Sequence, residues 1–325
     1  MSRSDYTKRT ISVSIVIPCF NEEQALPFLI ERLNKSISNI NKKCKNAFKF
    51  EVLFVDDGSR DKTFEIIEKL IVTSKDTLIR CLKLNRNYGH MTAIEAGLAN
   101  VNSELVITMD ADLQDPPEVM FELIRKWQET RADVIQAVRA SRTSDSFFKR
   151  RTASIYYRFI RRITGVELIH DAADFRLITK RTVQIFKDLP EKQKIFRLLI
   201  PTLGLKTEKV YFDRDSRISG STKYSLSRML SLTTDSIVAF SSRPLRFISI
   251  LGLLGFIFFS SLCLYAFVAY FYFQTVPGWT SLVLLILSAN SLLLGAIGLI
   301  GEYIGRIYET SLGRPRYIIE KDLSN

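Results

Sequence analysis

Between Phe247 and Ile300 the chain runs for 54 residues without one Lys, Arg, Asp or Glu. A stretch that long without charge has to be covered by protein or by lipid. It divides into Phe247–Phe273, 27 residues, and Trp279–Ile300, 22 residues. A membrane-spanning helix needs about 20 apolar residues, so both segments are long enough. The link Gln274–Gly278 contains Pro277 and Gly278 and permits a tight helical hairpin. Arg243 and Arg246 precede the first segment, Arg306, Arg314 and Arg316 follow the second, and the link has no basic residue. Positive-inside counting then places the chain on both sides of the hairpin in the cytoplasm, at the inner membrane. The alternative is a hairpin buried in a soluble core. Gly295, Gly298, Gly301 and Gly305 line one ridge of the second segment. Such a ridge suits packing on the first segment or self-association into a homo-oligomer.

Composition sharpens the contrast. The net charge is +12, and residues 247–325 carry four basic and four acidic side chains, so the whole excess belongs to residues 1–246. A basic head on an uncharged apolar tail excludes a simple soluble enzyme. Cys19, Cys44, Cys81 and Cys263 are scattered, with no C-x-x-C pair and only His90 and His170 in the chain. That argues against structural zinc and fits a reducing compartment. Lys8 and Arg9 precede the mostly apolar run Ile11–Phe20, but Asn21-Glu22-Glu23 follows it in place of a small-residue cleavage site. The run reads as a buried strand and not as a signal peptide.

Residues 12–138 alternate strand and helix patterns. Strands are expected over 12–17, 50–55, 78–84, 105–109 and 133–138, and helices over 22–34, 61–73 and 92–99. This rhythm implies an α/β domain with a mostly parallel sheet and helices on both faces. Ligands in such folds sit at the carboxyl ends of the strands. Residues 147–163 read as a basic amphipathic helix carrying Arg150, Arg151, Arg158, Arg161 and Arg162, suited to anionic membrane lipids. Residues 224–240 read as a helix at the membrane interface. The expected organisation is a head over 1–223, a juxtamembrane segment over 224–246, spans over 247–273 and 279–300, and a tail over 301–325.

Three strands end in polar or acidic clusters: Pro18-Cys-Phe-Asn-Glu-Glu23, Asp56-Asp-Gly-Ser59 and Asp110-Ala-Asp-Leu-Gln-Asp115. Asp110 and Asp112, two apart at a strand end, suit a hard divalent cation that completes its shell with substrate phosphates. A lone Asp-x-Asp before Pro116-Pro117 is equally a capping sequence; its company makes the difference. Asp56 or Asp57 can accept the imide N–H of a uracil, or can simply shape the turn at Gly58. Neither a phosphate-binding P-loop nor a G-x-G-x-x-G dinucleotide signature is present.

The chain resembles the family-2 glycosyltransferases, in the polyprenyl-phosphate branch that includes dolichol-phosphate mannose synthases and bacterial undecaprenyl-phosphate sugar transferases. The resemblance rests on Ile17-Pro-Cys-Phe-Asn-Glu22, Val55-Asp-Asp-Gly-Ser59, Asn85-Arg-Asn-Tyr-Gly89, Met109-Asp-Ala-Asp-Leu-Gln-Asp-Pro-Pro117, Ala173-Asp-Phe-Arg-Leu177 and Gly301-Glu-Tyr-Ile-Gly-Arg306. It implies a nucleotide-diphospho-sugar transferase domain of GT-A type followed by a transmembrane hairpin. It implies Asp57 on the uracil, with Pro18, Phe20 and Glu22 shaping the nucleoside site. It implies Asp110 and Asp112 as the donor motif, with Asp112 and Gln114 nearest a Mg2+ or Mn2+ ion. Arg217 and Lys223 would approach the phosphates, and Asp174 occupies the position of the proposed catalytic base. Ala173 departs from the Gly common before that Asp.

The resemblance implies a nucleotide-sugar donor and a polyprenyl phosphate acceptor. A phosphate monoester with a second pKa of about 6 is largely dianionic at neutral pH. Asp174 is therefore expected to orient groups as much as to take a proton. Arg217 and Lys223 are expected to neutralise the meeting of two anions, and Arg139 either joins them or is an ordinary surface charge. The expected reaction is inverting transfer of one sugar, glucose first, to undecaprenyl phosphate, yielding a lipid-linked sugar for cell-envelope glycan modification. N-acetylglucosamine, aminoarabinose and mannose donors are the alternatives. A processive synthase would carry Gln-x-x-Arg-Trp, and neither Trp127 nor Trp279 follows an Arg. A lipid-flipping partner would need more than two spans, and no nucleic-acid-binding signature accompanies the charge.

Overall fold

The computed structural model describes residues 10–74, 77–140, 169, 172–189, 194–213, 254, 257, 258, 261 and 278–324. Strands and helices alternate at first: β1 (Ile11–Cys19), α1 (Leu26–Lys43), β2 (Phe48–Asp56), α2 (Thr63–Thr73), β3 (Leu78–Leu84), α3 (His90–Ala99) and β4 (Leu105–Thr108). A 3-10 turn at Pro117–Val119 leads into α4 (Met120–Thr130) and β5 (Val134–Arg139). Then follow β6 (Ala172–Thr179), α5 (Lys180–Asp188), α6 (Phe196–Thr202), β7 (Thr207–Phe212), α7 (Trp279–Ser311) and β8 (Ile319–Ser324).

The strands form one sheet in the order β7-β5-β6-β4-β1-β2-β3-β8. The pairs β1–β2, β1–β4, β2–β3 and β5–β7 are parallel, and β6 and β8 join antiparallel. β1 is the centre. Val13, Ile15, Val16 and Ile17 are fully buried, because helices cover both faces of a parallel sheet. The amphipathic helix α1 turns Leu26, Leu29, Leu33, Ile37 and Ile40 inward at helical spacing. Of the expected strands, 78–84 is matched residue for residue, 12–17 and 50–55 each gain three residues, 105–109 ends one residue early and 133–138 is shifted by one. The helix expected over 22–34 begins at Leu26 and runs to Lys43, because residues 20–25 turn back towards the β2–α2 loop.

The strand order reverses beside β1: β2 and β3 lie to one side, β4 to the other. That is the switch point where open α/β sheets leave a crevice. β6 runs antiparallel to β4, so its amino-terminal end, with Asp174, reaches the same edge as the carboxyl ends of β1, β2 and β4.

The chain separates into two compact units. One carries β1 to β7 together with β8; the other carries α7. α7 is 33 residues long and contains the whole of the second apolar segment. In the first apolar segment Leu254, Ile257, Phe258 and Ser261 are helical, and the three apolar ones are exposed. Taken over the described residues alone, no helix is long and apolar enough to cross a membrane. Most of 247–277 and several side chains of α7 fall outside that description. The helices expected over 147–163 and 224–240 also lie outside the described residues. Among those residues, nothing stands within 4 Å of a Cβ built on Gly295, Gly298, Gly301 or Gly305.

Candidate functional site

The turns after β1 and β2 are laced together. Asp57 N–H donates to the Cys19 carbonyl at 2.9 Å. Asn21 N–H donates to Ser59 Oγ at 3.0 Å, Arg60 N–H to Asn21 Oδ1 at 2.9 Å and Glu22 N–H to Thr63 Oγ1 at 2.8 Å. Asn21 lies at φ 56, a left-handed conformation that Asn tolerates. The lacing keeps Pro18 buried, Glu22 half-buried and Phe20 exposed at the rim of the crevice, 41% accessible. Asp56 is fully buried and accepts the Ser59 N–H at 3.1 Å, so it serves the turn.

Asp57 is nearly buried, and both its oxygens accept backbone donors from the β3–α3 loop. Oδ1 receives Tyr88 N–H at 2.7 Å and Oδ2 receives Gly89 N–H at 2.8 Å. Burial pushes its carboxyl above the ordinary range, against the pull of those two amides. The loop Asn85–Gly89 is thus pinned over the Asp57 turn. Its Tyr88 hydroxyl donates to Asn85 Oδ1 at 2.7 Å, and the Arg86 guanidinium stacks 4.7 Å from the Tyr88 ring centre.

The second half of the site comes from β4 and β6. Their register ends on Thr108 paired with Arg176, which leaves Asp110 just beyond β4 and Asp174 two residues before Arg176 on β6. Thr108 Oγ1 donates to the Asp174 carbonyl at 2.8 Å and Gln136 Nε2 to the Ala173 carbonyl at 2.6 Å, fixing the strand end. His90, the first residue of α3, brings Nε2 to 3.3 Å from Asp110 Oδ1 and 3.7 Å from Asp174 Oδ2. The buried Arg176 pairs with the other oxygen of Asp174. Burial opposes the charge on His90, but the Asp174 hydrogen bond and the two carboxylates outweigh it and raise its pKa to about 9. Asp112 is half-buried and its Oδ1 accepts the Gln114 N–H at 3.1 Å, around Leu113 at φ 61.

Of the residues expected in the site, Pro18, Phe20, Glu22, Asp57, Asp110, Asp112, Gln114, Arg139 and Asp174 all lie along one edge of the sheet. Arg139 ends β5 there, half-buried. Arg217 and Lys223 lie outside the described residues. His90 and Arg176 are additions. His90 was legible only as one of two histidines, and Arg176 only as part of the Asp174 motif; their link to the carboxylates depends on pairing across the sheet.

The chain matches the family Glycosyl transferase family 2 over residues 14–186. The Uncharacterized glycosyltransferase YkcC of Bacillus subtilis (strain 168) is 37% identical over 317 residues, covering 96% of this chain and 94% of that protein. The Prophage bactoprenol glucosyl transferase homolog of Escherichia coli (strain K12) is 34% identical, covering 96% and 99%. Among solved structures, mannosyl-3-phosphoglycerate synthase from Rubrobacter xylanophilus shares the fold with a TM-score of 0.51 at 17% identity, covering 73% of this chain and 74% of that one. The mannosyltransferase PcManGT from Pyrobaculum calidifontis, in complex with GDP-Man and Mn2+, shares it with a TM-score of 0.50 at 14% identity, covering 74% and 66%.

Proposed function

The chain belongs to Glycosyl transferase family 2, and from that premise we propose that it transfers one glucose from UDP-glucose to undecaprenyl phosphate at the cytoplasmic face of a membrane. The observation that carries this reading is the 34% identity, over nearly the full length of both chains, with the bactoprenol glucosyl transferase homolog.

A phosphate oxygen of the acceptor attacks the anomeric carbon, the bond from that carbon to the UDP oxygen breaks, and UDP leaves with the electron pair. In-line attack inverts the configuration. No proton need leave the acceptor, since a phosphate monoester is largely dianionic at neutral pH. Asp174, tied to Arg176 and facing His90, therefore orients the reacting groups more than it removes a proton. Arg139, with Arg217 and Lys223, balances the charge of two anions brought together. Pro18, Phe20, Glu22 and Asp57 form the nucleoside side of the crevice, with Asp57 assigned to the uracil imide. Asp110, Asp112 and Gln114 present hard oxygen donors suited to Mg2+ or Mn2+. The described residues hold no group of three His, Cys, Asp or Glu side chains set to grip a metal. Mg2+ needs only one or two carboxylates when substrate phosphates complete its shell, so the donor set fits. Such a cation supplies charge neutralisation to the departing diphosphate.

Two membrane spans over 247–273 and 279–300 belong to the same proposal. Leu282, Ile286, Leu293, Ile297, Ile300 and Ile304 of α7 are all between 43% and 59% exposed, an apolar surface suited to lipid. β8 pairs with β3 in the sheet of the head, so the chain returns to the head after the apolar segments. An even number of crossings satisfies that, in agreement with the arginines flanking the hairpin.

The test is incubation of the full chain in membranes with undecaprenyl phosphate and labelled UDP-glucose, UDP-N-acetylglucosamine, a UDP-aminoarabinose derivative or GDP-mannose. Label from UDP-glucose in the extracted lipid is expected. Label from another donor alone would replace the sugar, and no labelled lipid from any donor would sink the proposal.

A further inference from the structure

The segment after α7 does not hang from the head as a tail. Its last strand, β8, pairs antiparallel with β3, with Ile319 opposite Leu84 and Ser324 opposite Arg80. The register is held by charge: Lys83 Nζ lies 3.1 Å from Glu320, and Arg80 Nη2 lies 3.3 Å from Asp322. Lys83 and Lys321 both sit over the Phe64 ring of α2, at 4.9 and 5.4 Å. Immediately before β8, two contacts reach further. The Ile318 carbonyl accepts the Asn85 N–H at 3.1 Å, at the first residue of the loop that pins Asp57. The Arg316 guanidinium pairs with Glu95 on α3, the helix whose first residue is His90. Glu95 also faces the nearly buried Lys194 at 3.4 Å, and its own side chain is only 14% exposed.

The loop Asn85–Gly89 is thereby held from three directions. The strap fixes its start, Asp57 receives the amides near its end, and α3 continues from it. It has no slack below, because a Cβ on Gly58 would stand 2.5 Å from the Arg86 backbone. We propose that the strap 315–324 is a positioning element of the donor site, setting the Asn85–Gly89 loop and α3 so that Asp57 and His90 are presented to the nucleotide sugar. Arg316 is its key positioning residue. It acts through Glu95 on α3, while the Ile318 carbonyl holds Asn85. Because the strap follows the last apolar helix directly, donor binding depends on a segment next to the membrane anchor. The inference rests on the donor-site reading given above.

The test uses the full chain in detergent, with Arg316→Gln, Arg316→Lys, a chain ending at residue 314, and Ile40→Ala as a control. Ile40 is buried in the last turn of α1, towards the edge of the sheet opposite the site. Removing one cation leaves the sheltered Glu95 carboxylate half-compensated, so Arg316→Gln should loosen the loop. Amide exchange in a peptide covering residues 85–90 should quicken about tenfold, with β1 and β2 unchanged. The KM for UDP-glucose should rise about fivefold with kcat within about twofold, and Arg316→Lys should recover most of it. Ile40→Ala should lower the melting temperature without moving that KM. Unchanged exchange and unchanged donor KM in Arg316→Gln would overturn the proposal whether or not the shortened chain folds. Wild-type protein that neither turns over nor binds any nucleotide sugar would sink the donor reading alone, and exchange in 85–90 would still decide the strap.

Discussion

Gly58 marks the tightest point of the site. It lies at φ +69, and an added Cβ would meet the Arg86 carbonyl carbon at 2.5 Å and the Asn87 nitrogen at 2.7 Å. Both neighbours are backbone, so no rotamer change relieves the clash. Left-handed strain in a non-Gly residue alone costs about 1–3 kcal/mol, so Gly58→Ala should destabilise by at least about 2 kcal/mol. A thermal or denaturant melt showing under about 0.5 kcal/mol would mean that the two loops are not packed this closely. His90 offers a second test. Its pKa, raised from 6.5 to about 9, means that its stabilising contribution is complete below 6.5 and is lost as pH rises through about 9. Proton NMR of the metal-free protein should show one of two imidazole signals titrating near 9, and His90→Asn should remove it. A titration at or below 6.5 would show that Asp110 and Asp174 do not flank the ring. Asp112→Asn should cut kcat by at least about a hundredfold without a matching loss of stability, and near-normal turnover would end the metal assignment.

At the scale of elements, the sheet and α3 depend on one close approach. A Cβ on Gly97 would stand 2.3 Å from Val16 Cγ1 and 3.1 Å from Val55 Cγ2. Ala is the better helix former by about 1 kcal/mol, yet the overpacking of two stiff valines should win, leaving Gly97→Ala about 1–3 kcal/mol less stable. Pairing it with Val16→Ala should recover part of that loss, and a purely additive double variant in a melt would refute the contact. The strands β1 to β5 and the helices α1 to α3 were legible because strand and helix periods alternate over contiguous residues, whereas α4 (Met120–Thr130) was not expected. β8 was not legible. Its sequence, Ile319-Glu-Lys-Asp-Leu-Ser324, is short and mostly exposed, with only Ile319 and Leu323 half-buried on one face, as suits an edge strand, and its partner lies 242 residues away for the Arg80–Asp322 pair. β6 was read as a motif around Asp174 and not as a strand, since only β4 and β5 on either side give it that form.

For the whole molecule the firmest expectation concerns sidedness. β8 completes the sheet of the head, so under the proposed hairpin fusions at the two ends of the chain should report the same side of a membrane. A marker in the 274–278 link should report the other. Ends on opposite sides would exclude the hairpin and the pairing of β8 together. The sequence by itself determined the alternating α/β head, the carboxylates at its strand ends and the chargeless segment, because each is written in neighbouring residues through period, spacing or missing charge. Tertiary structure alone decided that His90 stands between Asp110 and Asp174, that Asp57 is bound to the Tyr88 and Gly89 amides, and that the last residues return to the head. Those are contacts between distant parts of the chain. They arise from strand order, register and close packing, which no local pattern records.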